Sequence, residues 1–163
     1  MKFIYKDLLN FLSEKPTIQN LSEKLFQLGH EHEIKDDVFD MEFTPNRGDC
    51  LSLSGLSRDL NIFFGKEEPF KVFEGDIEPL NLNFKNFSPE ACPKISFLEI
   101  EIEGNINEYK PYVESYFSLP GNKKVNFFTD ISNYVSYELG QPTHCFDANS
   151  ISDQLIFQNR ICD

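Results

Sequence analysis

Along the first thirty residues apolar positions recur at intervals of three and four. Phe3, Ile4, Leu8, Leu9, Phe11 and Leu12 form such a stripe, which predicts an amphipathic helix over 3–14 that Pro16 stops. Thr17 is placed to cap a second helix, with Ile18, Leu21, Leu25, Phe26 and Leu28 on its apolar side and Gly29 at its end. From His30 the period shortens. EHEI and then VFDMEF are short alternating stretches, in which Val38, Phe39, Met41 and Phe43 suggest a strand. Thr44-Pro45-Asn46-Arg47-Gly48-Asp49 is a dense turn signal. Leu51, Leu53, Leu56, Leu60, Ile62 and Phe63 then mark a third helix that ends at Gly65.

Residues 66–79 are acidic, hold two prolines and a glycine, and read as a linker. Beyond them NLNFKNF and ISFLEIEIEG predict strands, the latter with a bulge near Leu98–Glu99 to keep Ile95, Phe97, Ile100 and Ile102 on one face. Helices are predicted over 107–118 and 125–139, broken by Leu119-Pro120-Gly121, with Gly140 and Pro142 closing the second. Leu155, Ile156 and Phe157 form a short apolar run with the character of a strand whose partners lie elsewhere. The expected class is α+β: a small helix-and-strand domain over 1–79, followed over 80–163 by the first part of a second α+β domain.

Composition supports folded structure. Of 163 residues 40% are hydrophobic, and 17 Phe stand in for the absent Trp. Charge narrows the function. The formal net charge is −12, and residues 31–120 hold nineteen acidic against eight basic side chains. Such a field repels phosphate, so nucleic-acid binding through this chain's own surface is expected to be weak or absent. Cys50, Cys92, Cys145 and Cys162 are far apart, without a C-x-x-C pair or a histidine at zinc-finger distance, which fits reduced thiols and no metal. No apolar run is long enough for a membrane span, and no signal-peptide pattern opens the chain; a cytoplasmic location without membrane attachment is expected.

Two segments go beyond ordinary patterning. In FDMEFTPNRGDCLSLSGLSRDLN (39–61) a strand, a polar turn and a helix follow one another. One reading is structural: Asn46 sits in the turn, Asp49 or Ser52 caps the helix, and Arg47 pairs with Asp49 or Glu42. The other makes Arg47 and Arg58 anion-binding groups at a helix N-terminus, which the acidic surroundings disfavour. In FFTDISNYVSYELGQPTHCFD (127–147), Asp130, Ser132, Asn133, Gln141 and His144 crowd polar groups into an apolar stretch. Asn133 and Tyr137 share a helix face, and the Gly-Gln-Pro break lets the chain turn back so that His144 approaches Asn133 and Ser132. Taken alone, His144 beside Pro and Phe has the pattern of a structural histidine, and a Ser132/His144 nucleophilic pair lacks an identifiable third group. His30 and His32, two apart, read as a solvent-facing pair on a strand.

Four segments in order, MKFIYKDLLNFL, QLGHEHE, TPNRGDCLSLSGLSRDL and DISNYVSYELGQPTHCFD, resemble the beta subunit of bacterial phenylalanyl-tRNA synthetases over nearly the whole chain. That family normally carries a tRNA-binding barrel between the second helix and the first long strand. Here only Lys35, Asp36 and a few neighbours stand in its place. The resemblance implies a barrel-less B1 unit over 1–79 and the N-terminal part of the B3/B4 editing domain over 80–163. It implies a parent ligase that charges tRNA with phenylalanine using ATP, and an editing site that hydrolyses mischarged tyrosyl-tRNA. Asn133 and His144 fall on the catalytic positions of that site, and Ser132, Pro142 and Thr143 on its substrate-binding wall. Asn46, Arg47 and Asp49 fall on a structural turn.

The same resemblance implies a synthetase alpha subunit as partner in an alpha2beta2 heterotetramer, with ATP and Mg2+ handled there and no cofactor bound by this region. The family commonly has Thr at the position of Ser132 and Ala at that of Cys145. Its glycine-rich loop and the Glu that reads the tyrosine hydroxyl lie beyond Asp163, so the chain is expected to hold part of the pocket and to be inactive alone. The alternative is a non-catalytic scaffold or subunit-interaction module with a degenerate editing domain.

Overall fold

The computed structural model describes residues 1–66, 75, 78–104, 106, 108–151 and 153–159. The linker read at 66–79 falls mostly outside them. The class is α+β, as expected. The chain forms two compact units, one of Met1–Phe70 with Ile106–Cys145, the other of Lys71–Asn105 with Phe146–Asp163.

The first unit begins with a departure from the periodicity. Residues Lys2–Ile4 are a strand, β1, and only Tyr5–Phe11 are helical, as α1. Phe3 and Ile4 suit either state, and tertiary pairing decides: β1 lies antiparallel to β3 (Val38–Glu42), with Phe3 opposite Phe39 and Lys2 ion-paired to Asp40. Helix α2 (Ile18–Gln27) starts where expected, the Thr17 hydroxyl accepting from the Asn20 N–H at 3.3 Å. Strand β2 (Glu31–Lys35) returns along β3 through Asp36 and Asp37 alone, Asp36 taking φ 58°. The sheet order is β1-β3-β2.

After a single 3₁₀ turn, Gly48–Cys50, helix α3 (Leu53–Phe63) is capped by Ser52, whose hydroxyl accepts from the Gly55 N–H at 3.0 Å. Of the two caps considered for this helix, Ser52 is the one used.

Helices α4 (Pro111–Ser118) and α5 (Phe127–Leu139) complete this unit. A division at residue 79 assigns them to a second domain; here their buried Val113, Tyr134 and Tyr137 join Phe3, Leu8 and Leu56 in one core. The Ser115 hydroxyl donates to both oxygens of the buried Asp7 carboxylate at 3.0 Å. Burial is the larger influence on that carboxyl and raises its pKa, against the lowering effect of Ser115. Helix α5 packs chiefly against α3 and α4, and its Tyr137 also stacks on Phe3 of β1.

In the second unit β4 (Phe84–Asn86) pairs in parallel with β5 (Leu155–Phe157), so that late apolar run does find a partner. The strand expected in ISFLEIEIEG does not form. Phe97 spends its ring on Phe84, 4.8 Å between centroids, while Leu98 and Ile100 are 81% and 64% exposed. No ladder partner for this stretch exists among the described residues, and an alternating pattern without one does not make a strand.

Candidate functional site

Helix α5 owes its position to polar groups at both ends. The Asn126 side chain accepts from the Thr129 N–H at 3.0 Å. Asp130, 1% exposed, accepts from the Tyr109 hydroxyl at 2.7 Å and the Val125 N–H at 2.8 Å. Burial, then the hydrogen bond to Asp130, pushes the Tyr109 phenol up to about 12. Asp130 is therefore a structural member of the polar cluster noted in the sequence. At the other end Gly140 adopts φ 73°, ψ 13°, the left-handed cap that glycine takes without cost, and the chain reverses.

The reversed segment lies back along α5. The Ser132 hydroxyl donates to the Thr143 carbonyl at 2.6 Å and touches the Thr143 hydroxyl at 2.7 Å; the Ser136 hydroxyl donates to the Gln141 carbonyl at 3.2 Å. Pro142, with no N–H to satisfy, stands between these two fastenings. The structure thus brings Ser132 and Thr143 into contact, and with them the chain positions next to Asn133 and His144. Asn133, Pro142, Thr143 and His144 are exposed. Asn133 lines a groove of about 520 Å³ together with Lys2, Asp40, Asn122, Ser136 and Tyr137; Ser132, Pro142, Thr143 and His144 are not part of its lining.

The TPNRGD turn is a network of closed charges. The Arg47 N–H bonds the Thr44 carbonyl at 2.9 Å, leaving Pro45 and Asn46 as the two central residues, Asn46 exposed. The Arg47 guanidinium grips Asp49 through Nε at 3.0 Å and Nη2 at 3.1 Å, and reaches Asp59 on α3; Arg58 also pairs with Asp49. Hydrogen bonds from Arg47 hold the Asp49 carboxyl far below the usual range, and the two carboxylates hold Arg47 above its own. Both arginines are thereby neutralised by this chain's own carboxylates.

Folding adds what spacing could not reveal. His30 is 3% exposed, its Nε2 3.6 Å from Asp59 Oδ2, which corrects the solvent-facing reading. His32 packs its ring against Phe26 and Phe39 and shares a 2.8 Å hydrogen bond with Ser22. Donor atoms of His30, Cys50 and Asp59 lie within 4.8 Å of one another, a grouping that could hold a metal. A cation is already there: Arg47 Nη2 stands 2.9 Å from Cys50 Sγ and bonds Asp59. Burial and the Asp59 charge push the Cys50 thiol up to about 12, so it is a protonated thiol at neutral pH. Asp59 is twelve residues from Arg47, and no local signal ties them.

Residues 106–160 match the family model described as the B3/4 domain. The chain is 35% identical over 136 residues to the phenylalanine–tRNA ligase beta subunit of Rickettsia bellii, covering 80% of this chain and 15% of that one. It is 36% identical over 124 residues to the corresponding subunit of Rickettsia conorii (72% and 14%) and 30% identical over 130 residues to that of Thermotoga maritima (77% and 16%). The chain belongs to the phenylalanine–tRNA ligase beta subunit family. It spans only 14–16% of the length of these relatives. The matched B3/4 segment takes in α4, α5, the reversed loop and β5, and so runs from the first compact unit into the second. Among the described residues no helix is long and apolar enough to cross a membrane.

Proposed function

We propose that this chain supplies part of the editing site of a phenylalanine–tRNA ligase beta subunit, the site that hydrolyses tyrosine from mischarged phenylalanine tRNA. The supporting observation is that the matched B3/4 segment holds Ser132, Asn133, Pro142, Thr143 and His144, with the loop carrying His144 fastened to the helix carrying Asn133. The chemistry that calls for such a site is simple. Tyrosine exceeds phenylalanine by one hydroxyl, and a pocket built for an apolar ring rejects an added hydroxyl only weakly. A second site that accepts tyrosine and cleaves its ester corrects the error.

In this reading the His144 imidazole orients the water that attacks the ester carbonyl, and the Asn133 amide holds a hydroxyl of the terminal ribose. Ser132, Pro142 and Thr143 form the wall on which the tyrosyl group rests. ATP, Mg2+ and phenylalanine are handled by an alpha subunit in an alpha2beta2 assembly, and tRNA is gripped mainly by other parts of that assembly, in keeping with a net charge of −12.

The test is deacylation of tyrosyl-tRNA by the ligase assembled from the complete beta chain and its alpha partner, with and without His144→Ala. Hydrolysis is expected to fall by about a hundredfold or more while phenylalanylation is retained. Unchanged hydrolysis removes His144 from the site. If the unsubstituted enzyme also fails to hydrolyse tyrosyl-tRNA, the chain serves instead as an interaction module with a degenerate editing domain.

A further inference from the structure

We infer that the TPNRGDCLS turn is the mount of the His144 loop, and that Ser52 is a positioning residue that acts through Gly140. The inference rests on the editing role proposed for His144. Ser52, 2% exposed, is held by the Gly55 N–H at the start of α3. Its side chain abuts Gly140 so closely that a Cβ on that glycine would stand 3.2 Å from Ser52 Oγ and 3.3 Å from Ser52 Cβ. Gly140 is also the residue at which the chain leaves α5 and reverses.

The loop after it therefore has two supports. On one side the Ser132 and Ser136 hydroxyls hold the Thr143 and Gln141 carbonyls. On the other, Ser52 is the floor beneath the reversal. The floor is itself fixed, because Arg47 clamps Asp49 and Asp59 and thereby ties the 3₁₀ turn to α3. Residues more than eighty apart in sequence meet here, where α3 packs on α5 and Ser52 leaves no room for a side chain at Gly140. A displacement of about 1 Å at a reacting group can cost a hundredfold in rate, so a floor under the His144 loop has a direct catalytic consequence.

Gly140→Asn separates the contact from backbone strain, because asparagine tolerates the left-handed conformation while adding the Cβ that Ser52 obstructs. In the assembled ligase this variant is expected to lower kcat for tyrosyl-tRNA hydrolysis about tenfold or more, with KM changed less than about twofold. Ser52→Gly in the same chain, a replacement that costs a helix cap little, is expected to restore most of the loss. In the 163-residue chain, Gly140→Asn is expected to shift the NMR amide signals of Thr143 and His144, and the added Ser52→Gly to return them. Wild-type hydrolysis in Gly140→Asn, or a defect that Ser52→Gly leaves unrelieved, overturns the inference. The amide shifts do not depend on hydrolysis. Should His144→Ala prove fully active, the role given to His144 falls, and the Ser52–Gly140 mount still stands or falls on those shifts.

Discussion

The ring of Tyr137 on α5 stacks on that of Phe3 in β1, with 5.7 Å between centroids and 29° between planes. This pair fastens α5 to the first strand of the chain. Tyr137→Ala is expected to cost about 3–5 kcal/mol of unfolding free energy, the usual range for deleting a buried aromatic ring. A double-mutant cycle with Phe3 should return a coupling of about 0.5–1.5 kcal/mol. Among the described residues the buried Tyr137 hydroxyl meets only the Ile4 backbone, without a hydrogen bond of good geometry, so Tyr137→Phe is expected to leave stability equal or higher in urea unfolding. A clear loss in that variant would show that the hydroxyl is bonded in solution.

Much of this arrangement is legible in the sequence where the signals are local. Thr17, Ser52 and Gly140 mark helix ends by chemistry that acts within four residues, and all three do so in the structure. The Arg47–Asp49 pair is equally local. What the sequence conceals is pairing at a distance. Phe3 and Ile4 continue a helical stripe and become strand because β3 offers them a ladder; Ile95, Phe97, Ile100 and Ile102 carry a strand pattern and find no ladder partner among the described residues. Ser132 and His144 were visible as polar residues in an apolar stretch. The fastening by Thr143 and Ser136, and the floor at Ser52, depend on a reversal whose path no spacing rule predicts.

Ser115 is the sole hydrogen-bond donor recorded on the Asp7 carboxylate among the described residues, meeting both oxygens. Ser115→Ala leaves a buried acceptor without that partner and is expected to cost about 1–3 kcal/mol near neutral pH. Burial already raises the Asp7 pKa, and losing the hydroxyl raises it further. The deficit of the variant should therefore shrink as pH falls and the carboxyl protonates in the fold. Urea unfolding of both proteins at several pH values reads this directly. A deficit that grows in acid would overturn it.

His30 contributes a pH dependence of the opposite sense. Burial holds its pKa below 6.5; Asp59 works against that shift, with Asp49, while Arg47 adds to it. A base whose folded pKa lies below its unfolded value takes up protons first in the unfolded chain. Stability is therefore full above about 6.5 and is lost as pH falls from there toward the folded pKa. The difference in unfolding free energy between the wild type and His30→Gln should grow less favourable to the wild type across that window. Subtracting the two curves isolates His30 from Asp7, whose carboxyl titrates with the other sign. A flat difference from pH 7.5 to 5 would mean that His30 is not held neutral.

Gly55 makes the sharpest steric prediction. It lies buried in the first turn of α3, where alanine would ordinarily add about 1 kcal/mol of helix stability. A Cβ there would stand 1.8 Å from the Asp49 carbonyl oxygen and 2.9 Å from Ser52 Oγ. The first of these is main chain, in a turn that Arg47 pins through the Asp49 side chain, so it cannot step aside as a flexible side chain would. The clash outweighs the propensity gain, and Gly55→Ala is expected to be destabilising by about 1–3 kcal/mol or more in urea unfolding. Because the displaced groups are the cap and the floor of the His144 loop, the variant should also shift the amide signals of residues 140–144. Stability at or above wild type would show that the turn and α3 do not pack in this way.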